Sequence, residues 1–183
     1  MRLQRTESLL VIVDVQEKLM PVIDRADAVI ANIARLVRAA KVMDLPVVLT
    51  EQYSKGLGHT MPDVKSAFDE TFGYQPIEKA TFSAYGAGEF VAALRLARRK
   101  QILIAGVETH VCVYQTVSDL LAAGYEVTLL TDAMSSRTAA NKEIAIQRMA
   151  KDGAKLSSTE MALFEMTVTS ATAEFKAISK LVK

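Results

Sequence analysis

The residue best suited to chemistry is the single cysteine, Cys112, in the segment Gly-Val-Glu-Thr-His-Val-Cys-Val at 106–113. The apolar run 102–105 before it predicts a buried strand that ends at a glycine. Thr109 suits the N-cap of a helix, which would place Cys112 in the first helical turn. Free N–H groups and the helix dipole there favour a thiolate and could hold an oxyanion. We therefore predict a thiol nucleophile, the alternative being a small buried hydrophobe.

Two charged residues also follow predicted strands. Asp14 comes directly after the apolar run 9–13, and Lys79 follows a weaker strand at 75–78. In open α/β sheets, ligands bind at the carboxyl ends of the strands, so both residues fall where chemistry is expected. A carboxylate at the end of a buried strand is partly desolvated and must find a partner. The alternatives are a loop cap for Asp14 and a solvated surface lysine for Lys79.

Other motifs near these residues are weaker. His110 could be a base for the thiol, but side chains two positions apart on a helix point to different sides. Glu108 could contact a substrate or simply reach solvent. The pattern Gly-Ala-Gly at 86–88 lacks the third glycine of a dinucleotide fingerprint and follows no convincing strand, so we expect no cofactor. With two histidines and one cysteine, a zinc site would need an unusually carboxylate-rich ligand set.

Short apolar strands and amphipathic helices alternate about six times along the chain. This alternation predicts a three-layer α/β/α fold around a six-stranded, mostly parallel, Rossmann-like sheet. Strands are predicted at 9–13, 46–49, 75–78, 102–105, 127–130 and 155–156, and helices at 26–43, 89–99, 109–123 and 138–152, with one or two more beyond. Glycine and proline mark 51–62 as a loop. No linker interrupts the pattern, so we expect one domain over 1–183.

Composition narrows the choice of partners. The formal net charge of +1 gives no reason to expect nucleic acid or an anionic membrane. No apolar run approaches the ~20 residues that span a bilayer, and no cleavable signal is visible. One cysteine cannot form an intramolecular disulfide. We therefore predict a cytoplasmic protein that acts on a small molecule.

Three motifs, in order along the chain, resemble the isochorismatase-like cysteine hydrolase superfamily, which includes nicotinamidases and N-carbamoylsarcosine amidases. They are Leu-Val-Ile-Val-Asp-Val-Gln at 10–16, Lys-Ala-Thr-Phe-Ser-Ala-Tyr at 79–85, and the segment 106–113 that holds the cysteine. Residues 50–58 further resemble the isochorismatase domain-containing proteins. The resemblance covers nearly the whole chain and implies the isochorismatase fold and a homo-oligomer.

The resemblance implies a catalytic triad of Asp14, Lys79 and Cys112. Asp14 would take the thiol proton, and Lys79 would lower the pKa of the thiol and steady the carboxylate. Cys112 would attack a carbonyl carbon and form a covalent intermediate that water releases.

The resemblance also implies an oxyanion loop at Val107, Glu108 and Thr109. Its non-proline cis peptide would match Val107–Glu108 and would aim the N–H groups of Glu108 and Cys112 at the oxyanion. Three further residues are candidates for lining the substrate pocket: Gln16, Phe82 and Tyr85.

Two departures from the family pattern limit the substrate. Nicotinamidases place an aspartate and several histidines after the second strand to bind a metal, whereas this chain has Glu-Gln-Tyr at 51–53 and only His59 further on. We therefore expect no catalytic metal. True isochorismatases lack the nucleophilic cysteine, so Cys112 favours amides, ureides or carbamoyl compounds over isochorismate. Two alternatives remain, a binding protein without turnover and a redox-sensing thiol.

Overall fold

The computed structural model describes residues 2–183, in which six strands form one sheet in the order β3-β2-β1-β4-β5-β6. Every pairing between neighbouring strands in this part of the chain is parallel, which confirms the predicted α/β fold. The strands are β1 (Ser8–Val13), β2 (Val47–Gln52), β3 (Ile77–Lys79), β4 (Gln101–Val107), β5 (Glu126–Ser135) and β6 (Lys155–Ser157). The strand order reverses between β1 and β4, and clefts in such sheets open at this point.

Eight α-helices cover the two faces of the sheet within the described residues. They are α1 (Ala26–Val42), α2 (Ser54–Leu57), α3 (Pro62–Asp69), α4 (Gly88–Ala97), α5 (Tyr114–Ala122), α6 (Ala139–Lys151), α7 (Thr159–Thr167) and α8 (Ala173–Val182). Helices α1, α3, α7 and α8 pack into one apolar core, and α4, α5 and α6 into the other. In β1, Leu10 and Ile12 face the first core, while Leu9, Val11 and Val13 face the second. A strand buried on both faces explains the unbroken apolar run in the sequence.

Several elements differ from the sequence-based expectation; β5, for example, extends to Ser135, beyond its predicted end at 130. The predicted loop 51–62 contains the end of β2 and the short helix α2, and helix α3 follows it. Helix α3 starts with Pro62 and buries Val64, Ala67 and Phe68, an i, i+3, i+4 spacing that is typical of an amphipathic helix. Strand β2 runs three residues beyond its predicted end because the polar residues at its end are hydrogen bonded, as described below. No helix within residues 2–183 is both long enough and apolar enough to span a membrane.

Gly106 is the position at which the strand packing tolerates no side chain. It lies opposite Val13 in the β1–β4 pair and has a φ of 137°. A Cβ there would lie 2.2 Å from the carbonyl oxygen of Val13. Because this contact involves the backbone of a central strand, it cannot be relieved by a rotamer change.

We expect Gly106→Ala to lower the free energy of unfolding by more than about 3 kcal/mol, or to prevent folding. Gly88→Ala is the control, since a Cβ at Gly88 meets no atom within 4 Å. Urea unfolding followed by circular dichroism measures both variants. Equal stabilities would contradict the close strand contact.

Candidate active site

A non-glycine residue in the left-handed backbone conformation follows each of three adjacent strands. Asp14 follows β1 with a φ of 54°, Tyr53 follows β2 with a φ of 38°, and Glu108 follows β4 with a φ of 55°. Such residues are uncommon because the conformation is strained, and they cluster at functional sites. The bends re-aim the chain at the carboxyl edge of the sheet, where Asp14, Lys79 and Cys112 converge.

The Asp14 carboxylate is fully buried and has a partner on each oxygen. Oδ2 accepts a hydrogen bond from Nζ of Lys79 at 2.6 Å, and both side chains are 0% exposed. Oδ1 accepts from Oγ1 of Thr50 at 2.7 Å. The Asp14 N–H donates to the carbonyl of Thr50, so that β2 holds both the backbone and the side chain of Asp14. These bonds compensate for taking a carboxylate and an ammonium out of water.

The Lys79 ammonium donates to three further oxygens. They are Oε1 of Gln52 at 2.7 Å, the carbonyl of Phe82 at 3.1 Å and the carbonyl of Thr81 at 3.3 Å. The two carbonyls belong to the segment that follows β3, so Lys79 fixes the course of its own loop. Lys79 is therefore a buried cation beside Asp14, and the solvated alternative does not apply.

Cys112 lies in a π-helical turn, Thr109–Val113, that leads directly into α5. The residue is 5% exposed and packs in the second core. Burial raises the pKa of the Cys112 thiol to about 12; the negative charge of Asp14 and a thiol hydrogen bond to Asp14 add to this rise, and the positive charge of Lys79 opposes it. The expected thiolate is therefore wrong for the resting protein, because burial and Asp14 outweigh the helix terminus. The thiol keeps its proton and directs it at a carboxylate.

The loop before Cys112 differs from its expected form in two ways. Residues 2–183 contain no cis peptide, so the Val107–Glu108 bond is trans and the chain turns through the left-handed Glu108 instead. Thr109 does not cap the helix, because it is the first residue within the π turn and Glu108 occupies the N-cap position; the Thr109 hydroxyl donates to the carbonyl of Ser135 at 2.8 Å. This bond ties the nucleophile turn to the end of β5. The first N–H groups of the turn precede any intrahelical acceptor, as at every helix start.

The polar side chains of this turn have partners other than the thiol. Glu108 pairs with Nε of Arg137 at 3.2 Å and lies 3.7 Å from Nε2 of His110. Nδ1 of His110 lies 3.1 Å from Oγ of Ser136. His110 therefore has its partners at the end of β5, and the structure does not bring it to Cys112 as a base.

The three pocket candidates have different environments. Gln16 is fully buried, and its amide bonds only main-chain groups, which gives it a structural role in this arrangement. The Phe82 side chain is 54% exposed, while its carbonyl binds Lys79. Tyr85 is half-buried and packs against the same core as Cys112. Phe82 and Tyr85 thus remain candidates for an apolar wall beside the triad.

Sequence reasoning missed the neutral residues that hold the charged ones. Thr50 and Gln52 bind Asp14 and Lys79 respectively. The hydroxyl of Thr116 accepts from the N–H of Ala84 and donates to the carbonyl of Cys112, which links the Phe82–Tyr85 segment to the nucleophile turn. Polar residues at alternate positions of a buried strand end, such as Thr50 and Gln52, are the signal that could have found two of them.

Glu51, between Thr50 and Gln52 on β2, points to the other face of the strand. Burial favours a raised pKa for Glu51, but hydrogen bonds from Tyr74, Thr60 and His59 outweigh it and lower the pKa. The carboxylate thereby ties Thr60 to β2, with the N–H and the hydroxyl donating at 2.6 and 2.8 Å. Across residues 2–183, acidic, histidine and cysteine side chains do not gather in a group of three or more that could hold a metal.

Comparison with known proteins assigns the family. A model of the isochorismatase domain matches residues 8–161, and the chain belongs to the isochorismatase family of hydrolases. It is similar to the secreted isochorismatase effector Isc1 of Phytophthora sojae, with 37% identity across all of this chain and 87% of that protein.

Three solved structures share the fold. The MAR1 ribonuclease of Caenorhabditis elegans is 34% identical with a TM-score of 0.91, over 100% of this chain and 92% of that one. YcaC of Escherichia coli, described as an octameric hydrolase of unknown specificity, is 26% identical with a TM-score of 0.90, over 98% and 90%. YcaC of Pseudomonas aeruginosa, solved with hexane-2,5-diol and covalent acrylamide, is 27% identical with a TM-score of 0.89, over 98% and 91%.

Because the pKa of Cys112 is raised, we expect the folded protein to lose stability at alkaline pH. An unfolded cysteine loses its proton near pH 8.5, whereas the folded thiol keeps it to about pH 12. The folded state favours the protonated thiol. The contribution of this effect to the free energy of unfolding is present below about pH 8.5 and is lost as the pH rises toward 12. The excess stability of the wild type over Cys112→Ala should therefore fall above pH 9 by up to about 1.4 kcal/mol per pH unit. Urea unfolding at pH 7 to 11 tests this, and a difference that stays constant to pH 11 would contradict it.

Proposed function

We propose that the chain is a cysteine hydrolase that acts on a small C–N substrate, an amide, ureide or carbamoyl compound. The observation that carries the proposal is the buried carboxylate of Asp14, which accepts from Lys79 and Thr50 and is near enough to Cys112 for its negative charge to raise the pKa of the thiol. A carboxylate beside a thiol is positioned as its general base, and the ammonium stabilises the negative charge as it moves between them.

The chemistry begins with attack on the carbonyl carbon. Because the pKa of Cys112 is about 12, little free thiolate exists at neutral pH, and the proton passes to Asp14 as the sulfur attacks. A sulfur–carbon bond forms, and the carbonyl electrons move to the oxygen. N–H groups at the start of the π turn precede any acceptor within it, and we assign them to the oxyanion.

Collapse of the tetrahedral intermediate breaks the C–N bond, and the leaving nitrogen takes the proton back from Asp14. The acyl group then remains on Cys112 as a thioester or thiocarbamate. Asp14 removes a proton from water, whose oxygen attacks the acyl carbon. The carbon–sulfur bond then breaks, the acid leaves, and the departing sulfur takes the proton back from Asp14, which restores the thiol and the carboxylate. Lys79 keeps its charge throughout, and the protein ends each cycle unchanged.

The proposal includes a cytoplasmic location and a homo-oligomer. A catalytic thiol without a second cysteine to resolve its oxidation benefits from a reducing compartment. The similarity to an octameric hydrolase supports self-association. Size-exclusion chromatography with light scattering measures the assembly.

The test is a screen of amides, ureides and carbamoyl compounds, with intact-protein mass spectrometry to detect acylated Cys112. We expect an adduct in the wild type and none in Cys112→Ala. Asp14→Asn and Lys79→Met should each slow acylation by about 10²–10⁴-fold, because each removes a partner of the proton transfer. Lys100→Met is the control, since Lys100 is an exposed lysine outside the site.

Two results would count against the proposal. Turnover of the same compound by Cys112→Ala would exclude a thiol intermediate. Cleavage of RNA by both the wild type and Cys112→Ala, with no acylation by any C–N compound, would favour the activity for which the C. elegans neighbour is named. Circular dichroism of each variant shows whether its fold is intact.

A further inference from the structure

We infer that Gln52 is a positioning residue that fixes the Lys79 ammonium beside Asp14, where its charge acts on the thiol of Cys112. The inference rests on the proposed function, because it concerns the same triad. It assigns a role to a neutral side chain that the hydrolase mechanism does not itself require.

Strand register places Gln52 beside Lys79. The two residues are directly paired in the parallel ladder between β2 and β3, and Thr50 is paired with Ile77 two positions earlier. Side chains two apart on a strand point to the same face, so Thr50 and Gln52 approach the triad together. Thr50 binds Asp14, and Gln52 binds Lys79. One strand thus holds both charges of the ion pair.

The bond from Lys79 to Gln52 is short and directed. At 2.7 Å it is nearly as short as the bond to Asp14, whereas the carbonyl contacts of the ammonium are 3.1 and 3.3 Å. Nε2 of Gln52 donates to the carbonyl of Ala80 at 2.8 Å. That bond settles the orientation of the amide, so that its oxygen and not its nitrogen faces the cation.

The backbone of Gln52 is fixed as well. Its N–H donates to Oε1 of Gln16 at 2.7 Å, and its carbonyl accepts from Nε2 of Gln16 at 3.0 Å. The same nitrogen of Gln16 donates to the carbonyl of Gly58 at 2.7 Å. The side-chain amide of Gln16 therefore pairs with β2 as a strand would, beyond the point where β1 ends. With backbone and amide both held, Gln52 presents its oxygen at a defined place.

The position of this cation matters for Cys112. The charge of Lys79 lowers the pKa of Cys112 and opposes the effects of burial, Asp14 and Glu108. Coulomb energy depends on distance, and more strongly in a buried site than in water. An ammonium that loses Gln52 would move toward its carbonyl acceptors, and its support for the developing thiolate would weaken.

The test measures the alkylation rate of Cys112 by iodoacetamide from pH 7 to 10 in the wild type and in Gln52→Met. Methionine keeps the length of the side chain but lacks the amide oxygen. We expect alkylation to slow about tenfold at each pH, which displaces the rate–pH profile by about one unit to higher pH. Gln115→Met, at an exposed position of α5, is the control and should match the wild type.

A double-mutant cycle separates positioning from a general structural effect. If Gln52 acts through Lys79, Gln52→Met should have no further effect on alkylation in the Lys79→Met background. Gln52→Asn, which is polar but one methylene shorter, is the second variant if Gln52→Met does not fold. A folded variant with the wild-type profile, or an equal effect in both backgrounds, overturns the inference.

The outcomes for the two proposals are distinguishable. If alkylation depends on Gln52 and Lys79 but no C–N compound acylates Cys112, the positioning role holds and the proposed function fails. If acylation occurs and Gln52→Met leaves the alkylation profile unchanged, the proposed function holds and the positioning role fails.

Discussion

The buried ion pair between Asp14 and Lys79 is the constraint on which the site depends. Removing both groups from water is costly, and it is tolerated only where further hydrogen bonds complete the shell around each charge. Here Thr50 donates a hydrogen bond to the Asp14 carboxylate. Gln52 and two backbone carbonyls accept hydrogen bonds from the Lys79 ammonium. The pair joins the ends of β1 and β3, and both of its supporting side chains come from β2, which lies between them.

The same pair determines the protonation state of the nucleophile. A carboxylate and an ammonium already balance each other, so a thiolate would be a second negative charge in an apolar surrounding. The rise of the Cys112 pKa to about 12 follows from this arrangement. In the proposed mechanism, Asp14 therefore acts as a base at the moment of attack and does not hold a preformed thiolate. A hydrolase with this design reacts slowly with chance electrophiles and depends on a well-placed carbonyl.

The sequence located Asp14 and Lys79 because each stands at the end of a predicted strand, and parallel strands end at one edge. It could not reveal the environment of Cys112, because the groups that raise its pKa come from other strands. The helix terminus is a local feature that favours a lower pKa for Cys112, whereas burial and Asp14 raise it. Thr109 failed as a cap because the turn begins one residue earlier than expected, with Glu108 at the N-cap position, and the Thr109 hydroxyl binds the carbonyl of Ser135 on β5 instead. The residue types of Thr50 and Gln52 do not indicate a role. Only the register of β2 shows that both side chains lie beside the ion pair.

The environment of Cys112 also bears on the alternative of a redox-sensing thiol. Such sensors use accessible cysteines with a lowered pKa, because the thiolate is the species that peroxide oxidises. Cys112 is 5% exposed, and its pKa is raised. The hypothesis of a sensor assumed an accessible thiol with a lowered pKa, whereas the folded chain has a buried thiol with a raised pKa. An acyl-transfer reaction has neither requirement, since its base lies beside the thiol and its substrate supplies the electrophile. The neutral thiol beside a carboxylate is therefore better suited to hydrolysis than to sensing.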